Sequence, residues 1–418
     1  MDQCGHSHLR LTRRRLVVLA AASGAWARSG AAQEIEPTVE PPEDALAGVS
    51  FSSAGWNTDF GRHTVPLTEI TPGGPPPDGI PPIDDPAFVS IGEASDWLVG
   101  HEPVIALGVV DADGTPASNG RAYPLQILIW HEIVNDILDD VPVLITFCPL
   151  CNTSVVFDRR LQPNDPDATV YDFGTTGNLR FSDLVMWDRQ TESWWQQVTG
   201  EAIVGELAGH ELIMIPSQIL SFAAFREAWP EGQVLSRATG FDRPYGNNPY
   251  PGYDDIESSP FLFDQETDER LPAMQRVVGV SLDGNAVAYP IDEDDLTMVT
   301  NDEIAGTPVA VFVGPGAASA LDAVAIASGR DTGQAGVFER TVDGEVLSFE
   351  LADDVVRDEQ TGSRWSLAGE ALDGPLEGAQ LTPITHVVVF WFAWAAFQPN
   401  SRIHPGSSAT RGPPWRVG

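Results

Sequence analysis

The chain has 418 residues, long enough for two or three domains, and its 42% hydrophobic content supports a sizeable core. It carries 60 Asp and Glu against 23 basic residues, a formal net charge of -37. Phosphate is repelled by such a surface, which excludes nucleic acid as a partner, and no run of about 18 apolar residues supplies a membrane-spanning helix to the mature chain. All 23 basic residues are Arg and none is Lys. An Arg-only, acid-rich surface is suited to concentrated salt, where charge repulsion is screened within a few ångströms, and points to a halophilic setting.

Residues 1–32 read as a twin-arginine-type signal peptide. Arg13-Arg14-Arg15 precedes a short apolar run to Ala25, and small residues around Ala27 and Ala32 offer cleavage sites. The expected product is exported, extracellular or in the cell envelope, and non-lipidated. Residues 33–95 are rich in Pro, Gly and acid and read as a linker or wrapping segment, with Phe51, Trp56 and Phe60 packing on the body.

From residue 96 the pattern becomes globular and repeats. Ala122-Tyr123-Pro124 recurs as Ala288-Tyr289-Pro290, Asn135-Asp136 as Asn301-Asp302, and Pro142-Val143 as Pro308-Val309. Further on, Val156-Phe157-Asp158-Arg159 answers to Val337-Phe338-Glu339-Arg340, Asp188 and Thr191 to Asp358 and Thr361, and Trp195 to Trp365. Phe222-Ala223-Ala224-Phe225 answers to Trp394-Ala395-Ala396-Phe397. The reading is an internally duplicated module: copy one at 96–240, a connecting loop at 241–270, a degenerate copy two at 271–405 and a tail at 406–418. Val104 to Val110 and Arg276 to Val280 are expected strands, followed by hairpin turns at Asp113-Gly114 and Asp283-Gly284. Residues 124–136, 218–229 and 386–397 are expected helices, and 141–147 and 308–313 buried strands. The fold class is α+β, mostly antiparallel β with a few helices.

The copies differ where chemistry belongs. Copy one has Trp130-His131-Glu132, where copy two has Leu296-Thr297-Met298. Copy one has Cys148-Pro149-Leu150-Cys151, where copy two has Gly314-Pro315-Gly316-Ala317, a retained proline that predicts the same turn without thiols. Copy one also carries a longer segment between Phe173 and Asp188, including the glycine-rich run from Gly174 to Gly177, which is suited to close approach of a ligand. Cys148, Cys151, His131 and Glu132 are therefore the candidate site residues. The C-x-x-C spacing supports a redox dithiol, or a metal site for copper or zinc on Cys148, Cys151 and His131 with a carboxylate, or a plain disulfide. Adjacent residues on a helix diverge by about 100°, so of His131 and Glu132 one faces the site and the other braces it. Asp158, Asp183 and Asp188 are candidate general acids or supporting carboxylates; Asp158 and Asp188 have acidic counterparts in copy two and read as structural, capping turns or pairing with Arg159 and Arg189. Trp187, Trp194, Trp195 and the tyrosines of 241–253 are candidates to line a pocket, with core packing the better explanation for Trp195.

The ordered run Tyr123-Pro124, Trp130-His131-Glu132, Asn135-Asp136, Cys148-Pro149-Leu150-Cys151, Phe157-Asp158, Ser182-Asp183-Leu184, Asp188-Arg189-Gln190-Thr191 resembles a family known only as a domain of unknown function. Its members resemble exported or envelope proteins of bacteria and haloarchaea. The resemblance implies that the C-P-x-C turn and the W-H-E helix belong together, and carries over no activity. Function at this stage is a thiolate-centred site, metal-binding or redox, in copy one. The alternative is a non-catalytic extracellular binding module braced by a Cys148–Cys151 disulfide.

Overall fold

The computed structural model describes residues 35–108, 119–353 and 355–405. The leader, the tail and the Asp113-Gly114 turn lie outside the described residues. Strands dominate, nearly all antiparallel, with five α-helices of four to seven residues among the described residues.

Three sheets build the first half. A five-stranded sheet contains Pro103–Leu107 between Gln218–Ser221 and Arg121–Pro124, with Gln233–Leu235 parallel to the last and Phe88–Ser90 at its edge. A four-stranded sheet runs Met214–Ile215, Thr153–Asp158, Val141–Cys148, Ile133–Leu138. A seven-stranded sheet pairs Phe173–Arg180 with Asp183–Asp188, Trp194–Gln196 and Ala202–Val204. Residues 33–95 contribute its other three strands, Thr38–Val39, Arg62–His63 and Ile70–Pro72. Phe51, Trp56 and Phe60 pack their rings on Trp194, so burial of aromatic surface holds this Pro-rich segment in place.

The second half shows the same strand orders. Val387–Phe390, Arg276–Leu282, Asn285–Pro290 and the parallel Arg402–Ile403 form one sheet; Thr382–Pro383, Gln334–Glu339, Thr307–Gly314 and Met298–Ile304 form another. Phe349–Ala352, Val355–Asp358 and Arg364–Trp365 form a third. Side chains recur with the strands. Tyr123 Oη donates to Asp136 at 2.6 Å and Tyr289 Oη to Asp302 at 2.7 Å; Trp195 Nε1 donates to Asp188 at 2.9 Å and Trp365 Nε1 to Asp358 at 3.0 Å.

Several expected elements are revised. The helix expected over 124–136 stops at His131: the helix is Leu125–His131, and Ile133–Leu138 is a strand paired with Val141–Cys148. Glu132 between them has φ 58°, which ends the helix, and the β-branched Ile133, Val134 and Ile137 suit a pleated strand. The helices expected over 218–229 and 386–397 each divide in the same way, into Gln218–Ser221 with Phe222–Ala228 and Val387–Phe390 with Trp391–Phe397. Phe222 thus corresponds in its helix to Trp391, three residues from the match read from sequence. No helix follows Asn285–Pro290, so the Leu125–His131 helix lacks a counterpart. The Asp283-Gly284 hairpin forms with both φ angles positive, 47° and 73°, as a two-residue turn requires. The turn expected at Pro315 is absent. Gly314 pairs with Gln334, so a long excursion replaces the four-residue loop of the cysteines.

Candidate metal centre

The two cysteines flank a hairpin loop. Cys148 ends the central strand Val141–Cys148 and pairs with Thr153, leaving Pro149–Asn152 as a four-residue loop in which Asn152 has φ 56°. Three outside groups fix that loop. Phe390 N–H donates to Cys151 O at 3.0 Å, Asn152 Nδ2 to Val388 O at 3.3 Å, and Tyr253 Oη to Leu150 O at 2.8 Å. The second half and the connecting loop therefore both hold the cysteine turn.

Asp183 comes to the cysteines from another sheet. The hairpin Phe173–Arg180 and Asp183–Asp188 extends past its counterpart in the second half, where Phe349–Ala352 already turns back to Val355. Its tip, Phe181-Ser182, has positive φ at two non-glycine residues, 53° and 66°, a sparsely populated backbone held by its surroundings. Ser182 Oγ donates to Phe261 O, and Ser182 O accepts the Cys148 thiol at 3.6 Å. The next residue, Asp183, accepts the Cys151 thiol at Oδ1, 3.0 Å away. Gln196 Nε2 at 2.6 Å and the Val198 N–H at 3.0 Å donate to its Oδ2. Thr153 Oγ1 contacts both Cys151 Sγ and Asp183.

Cys148, Cys151 and Asp183 are all buried, and their donor atoms lie within 4.8 Å of one another, close enough to share one cation. Both cysteines are free thiols. Burial pushes the Cys148 thiol up; its hydrogen bond with Cys151 pulls it back in part, and Asp183 and Glu132 push it further. Burial, Cys148 and Asp183 push Cys151 higher still. Burial raises the Asp183 carboxyl to about 6 against its hydrogen bonds. Burial and then the Asp183 charge raise Glu132 to about 8. Tyr250, pushed up by burial and by Glu132 and Cys148, sits in the same neighbourhood.

Of the two adjacent candidates, Glu132, just past the helix end, is coupled electrostatically to Asp183 and Cys148, whereas His131 is engaged elsewhere. Its Nδ1 lies 2.7 Å from Pro81 O and its Nε2 2.7 Å from Tyr245 Oη. With both ring nitrogens so used, His131 joins the wrapping segment to the connecting loop; among the described residues the cation-competent cluster holds Asp183 in its stead. The other carboxylates are structural. Asp158 pairs with Arg160 rather than Arg159, which pairs with Asp172, and Asp188 caps the turn at Thr191 and binds Trp195. The glycines approach protein rather than ligand: a Cβ on Gly174 would stand 2.2 Å from Asp78 Oδ1, and one on Gly177 2.0 Å from Pro75 O. Trp194 and Trp195 are buried core residues.

Sequence reasoning placed Asp183 among the candidate general acids or supporting carboxylates, and not among the candidate ligands. The signal that singles it out is the longer segment between Phe173 and Asp188, since of the three aspartates it alone has no acidic match in the second half. Gln196 and Thr153 carried no signal.

Fold and site together define a β-rich protein with a buried dithiol–carboxylate centre. The chain belongs to the family described as a protein of unknown function (DUF3179), whose model matches residues 77–401. No curated protein and no solved structure matches it.

Proposed function

We propose that the protein is a metal-binding protein whose first module holds one cation on Cys148, Cys151 and Asp183, with Glu132 coupled to them electrostatically. The observation that carries this reading is the meeting of two thiols and the Asp183 carboxyl in a buried cluster, each of them and the nearby Glu132 raised first by burial, with neither carboxyl in an ion pair among the described residues. Such a group of acids is costly to ionise in a buried site unless a cation neutralises it. A nucleophilic redox thiol needs a lowered pKa, from a nearby cation or a helix N-terminus. Here both thiols are raised, so the dithiol fits a metal better than it fits exchange chemistry. Two thiolates with carboxylate oxygens suit Zn(II), which accepts S and O donors in a tetrahedral set; Cu(I), which prefers soft ligands, is the second choice.

The same reading includes a duplicated module. The recurring strand orders and the paired Tyr–Asp and Trp–Asp hydrogen bonds support it, with copy two kept as a brace for the cysteine loop. Export and a saline setting are proposed from the Arg-rich leader and the acid excess. Cobalt(II) titration tests the metal reading. Thiolate-to-cobalt absorption saturating at about one equivalent supports it, and Cys148→Ser and Cys151→Ser should each abolish that band. A folded, reduced protein that gives no such band contradicts it.

A further inference from the structure

The two cysteines lie inside the protein, Cys148 1% and Cys151 0% exposed, so a cation reaches them only when a covering element moves. Of the neighbours that hold them, Val388 and Phe390 belong to a strand paired with Arg276–Leu282. Ser182, whose carbonyl accepts the Cys148 thiol, joins two strands of the seven-stranded sheet. Tyr253 is different. It belongs to the connecting segment, and residues 236–275 form no helix and no strand beyond the isolated bridge of Asn247 with Ala325. Loops longer than about 15 residues without secondary structure are uncommon in packed domains, and active-site lids are among them. Tyr245, Tyr250 and Tyr253 of this segment pack against the core cluster that contains both cysteines.

The segment is fastened unequally to the two halves. On the second half its backbone is paired: Asn248 N–H donates to Val324 O at 2.8 Å, Gly252 N–H to Asp322 O at 2.6 Å, and Ile326 N–H to Gly246 O at 3.0 Å. Asp254, buried and next to Tyr253, forms ion pairs with Arg276 and Arg330. On the first half the hold is made by single side chains. Tyr253 Oη donates to Leu150 O at 2.8 Å and accepts the Phe261 N–H at 3.2 Å, while Phe261 O accepts the Ser182 hydroxyl. Tyr245 Oη meets His131 Nε2 at 2.7 Å, and Trp130 Nε1 donates to Asn247 O at 3.1 Å. Breaking a buried ion pair is more unfavourable than losing one neutral hydrogen bond. The segment therefore parts from the cysteine side before it parts from the second half.

We propose that residues 241–263 are a strap that gates the dithiol centre: its tyrosines lift off the cysteine loop while its backbone stays on the second half, and the cation enters and leaves through that opening. Passage of a cation rests on the metal reading above; the gate over the thiols does not. The test is the rate at which N-ethylmaleimide alkylates Cys148 and Cys151 in the reduced, metal-free whole chain, with the modified cysteines assigned by peptide mass spectrometry. Tyr253→Phe deletes the hydroxyl that ties Leu150 to Phe261. It is expected to speed alkylation by about three- to ten-fold, the factor that corresponds to one lost hydrogen bond. Tyr245→Phe, which frees His131 from the strap, is the second variant if Tyr253→Phe does not fold, and is expected to act in the same direction. Trp365→Phe lies outside the strap and reports exposure by global unfolding; its rate should match the wild type. Cobalt(II)-loaded strap variants are expected to release the ion to EDTA faster than the wild type. Unchanged alkylation in the folded strap variants, equal acceleration in Trp365→Phe, or unchanged cobalt release overturns the proposal. Faster alkylation in a protein that binds no cobalt would instead contradict the metal reading and uphold the strap as the gate of the thiols.

Discussion

Cys151 and Asp183 meet across 32 residues of sequence, the thiol donating to the carboxylate at 3.0 Å inside the protein. Neither residue is placed by its own strand alone. The cysteine loop is pinned by Phe390, Val388 and Tyr253, and Asp183 follows a hairpin tip whose Ser182 hydroxyl is held by Phe261. The site is thus assembled from three sheets and a connecting loop, so changes at any of these supports should register at the sulfurs.

Asp183→Asn tests the carboxylate. The amide replaces one acceptor oxygen with a donor, which must face Cys151, or Gln196 and Val198, all of them donors. We expect a loss of about 1–3 kcal/mol in stability from the mismatched hydrogen bond, and metal affinity lowered by at least about ten-fold. Equilibrium unfolding and metal competition titrations measure the two separately.

The pH dependence of the metal-free protein has a definite sign. Asp183 is raised to about 6 from 3.8 and Glu132 to about 8 from 4.5. A carboxyl whose folded value is raised is ionised more readily when unfolded, so its share of stability is full below the unfolded value and is lost as pH climbs to the folded one. The Asp183 share is therefore lost between pH 3.8 and about 6, and the Glu132 share between pH 4.5 and about 8. Glu132→Gln should flatten the upper part of that decline, measured as melting temperature against pH for the two proteins side by side. A decline between pH 6 and 8 as steep in Glu132→Gln as in the wild type contradicts the assignment.

How far the sequence reached can be followed through particular residues. The C-P-L-C loop and its absence from the second half were legible, because identity and spacing alone carry them; the divergence of His131 from Glu132 was read from a shared helix, whereas Glu132 lies past the helix end. The end of the helix at His131 was not. Leu125, Leu128, Ile129 and Val134 continue a helical spacing, and only the left-handed Glu132 and the pairing of Ile133 with Thr146 decide otherwise. The cysteine loop's second-half counterpart was misread for a related reason: Pro315 marks a turn locally, but the pairing of Gly314 with Gln334 is long-range. Asp183 was visible as a residue and not as the partner of Cys151, since its approach to that thiol depends on how two sheets pack.

Trp195→Phe and Trp365→Phe separate scaffold from site. Each indole N–H donates to a buried aspartate, Asp188 or Asp358, at nearly equal distance. Each substitution removes one donor from that carboxylate, and we expect similar losses of about 1–3 kcal/mol in stability. Neither should change the amount of metal bound. Loss of metal in folded Trp365→Phe would contradict the assignment of the centre to the first module.

The central claim is that Cys148, Cys151 and Asp183 hold one cation. Its most direct test is the metal content of the native protein, purified without chelator under reducing conditions and measured by inductively coupled plasma mass spectrometry, beside the Cys148→Ser variant. The account predicts about one zinc or copper per folded chain, lost in the variant while its far-ultraviolet circular dichroism is unchanged. A folded, reduced native protein that carries no metal and takes none up when zinc or copper(I) is added would contradict it.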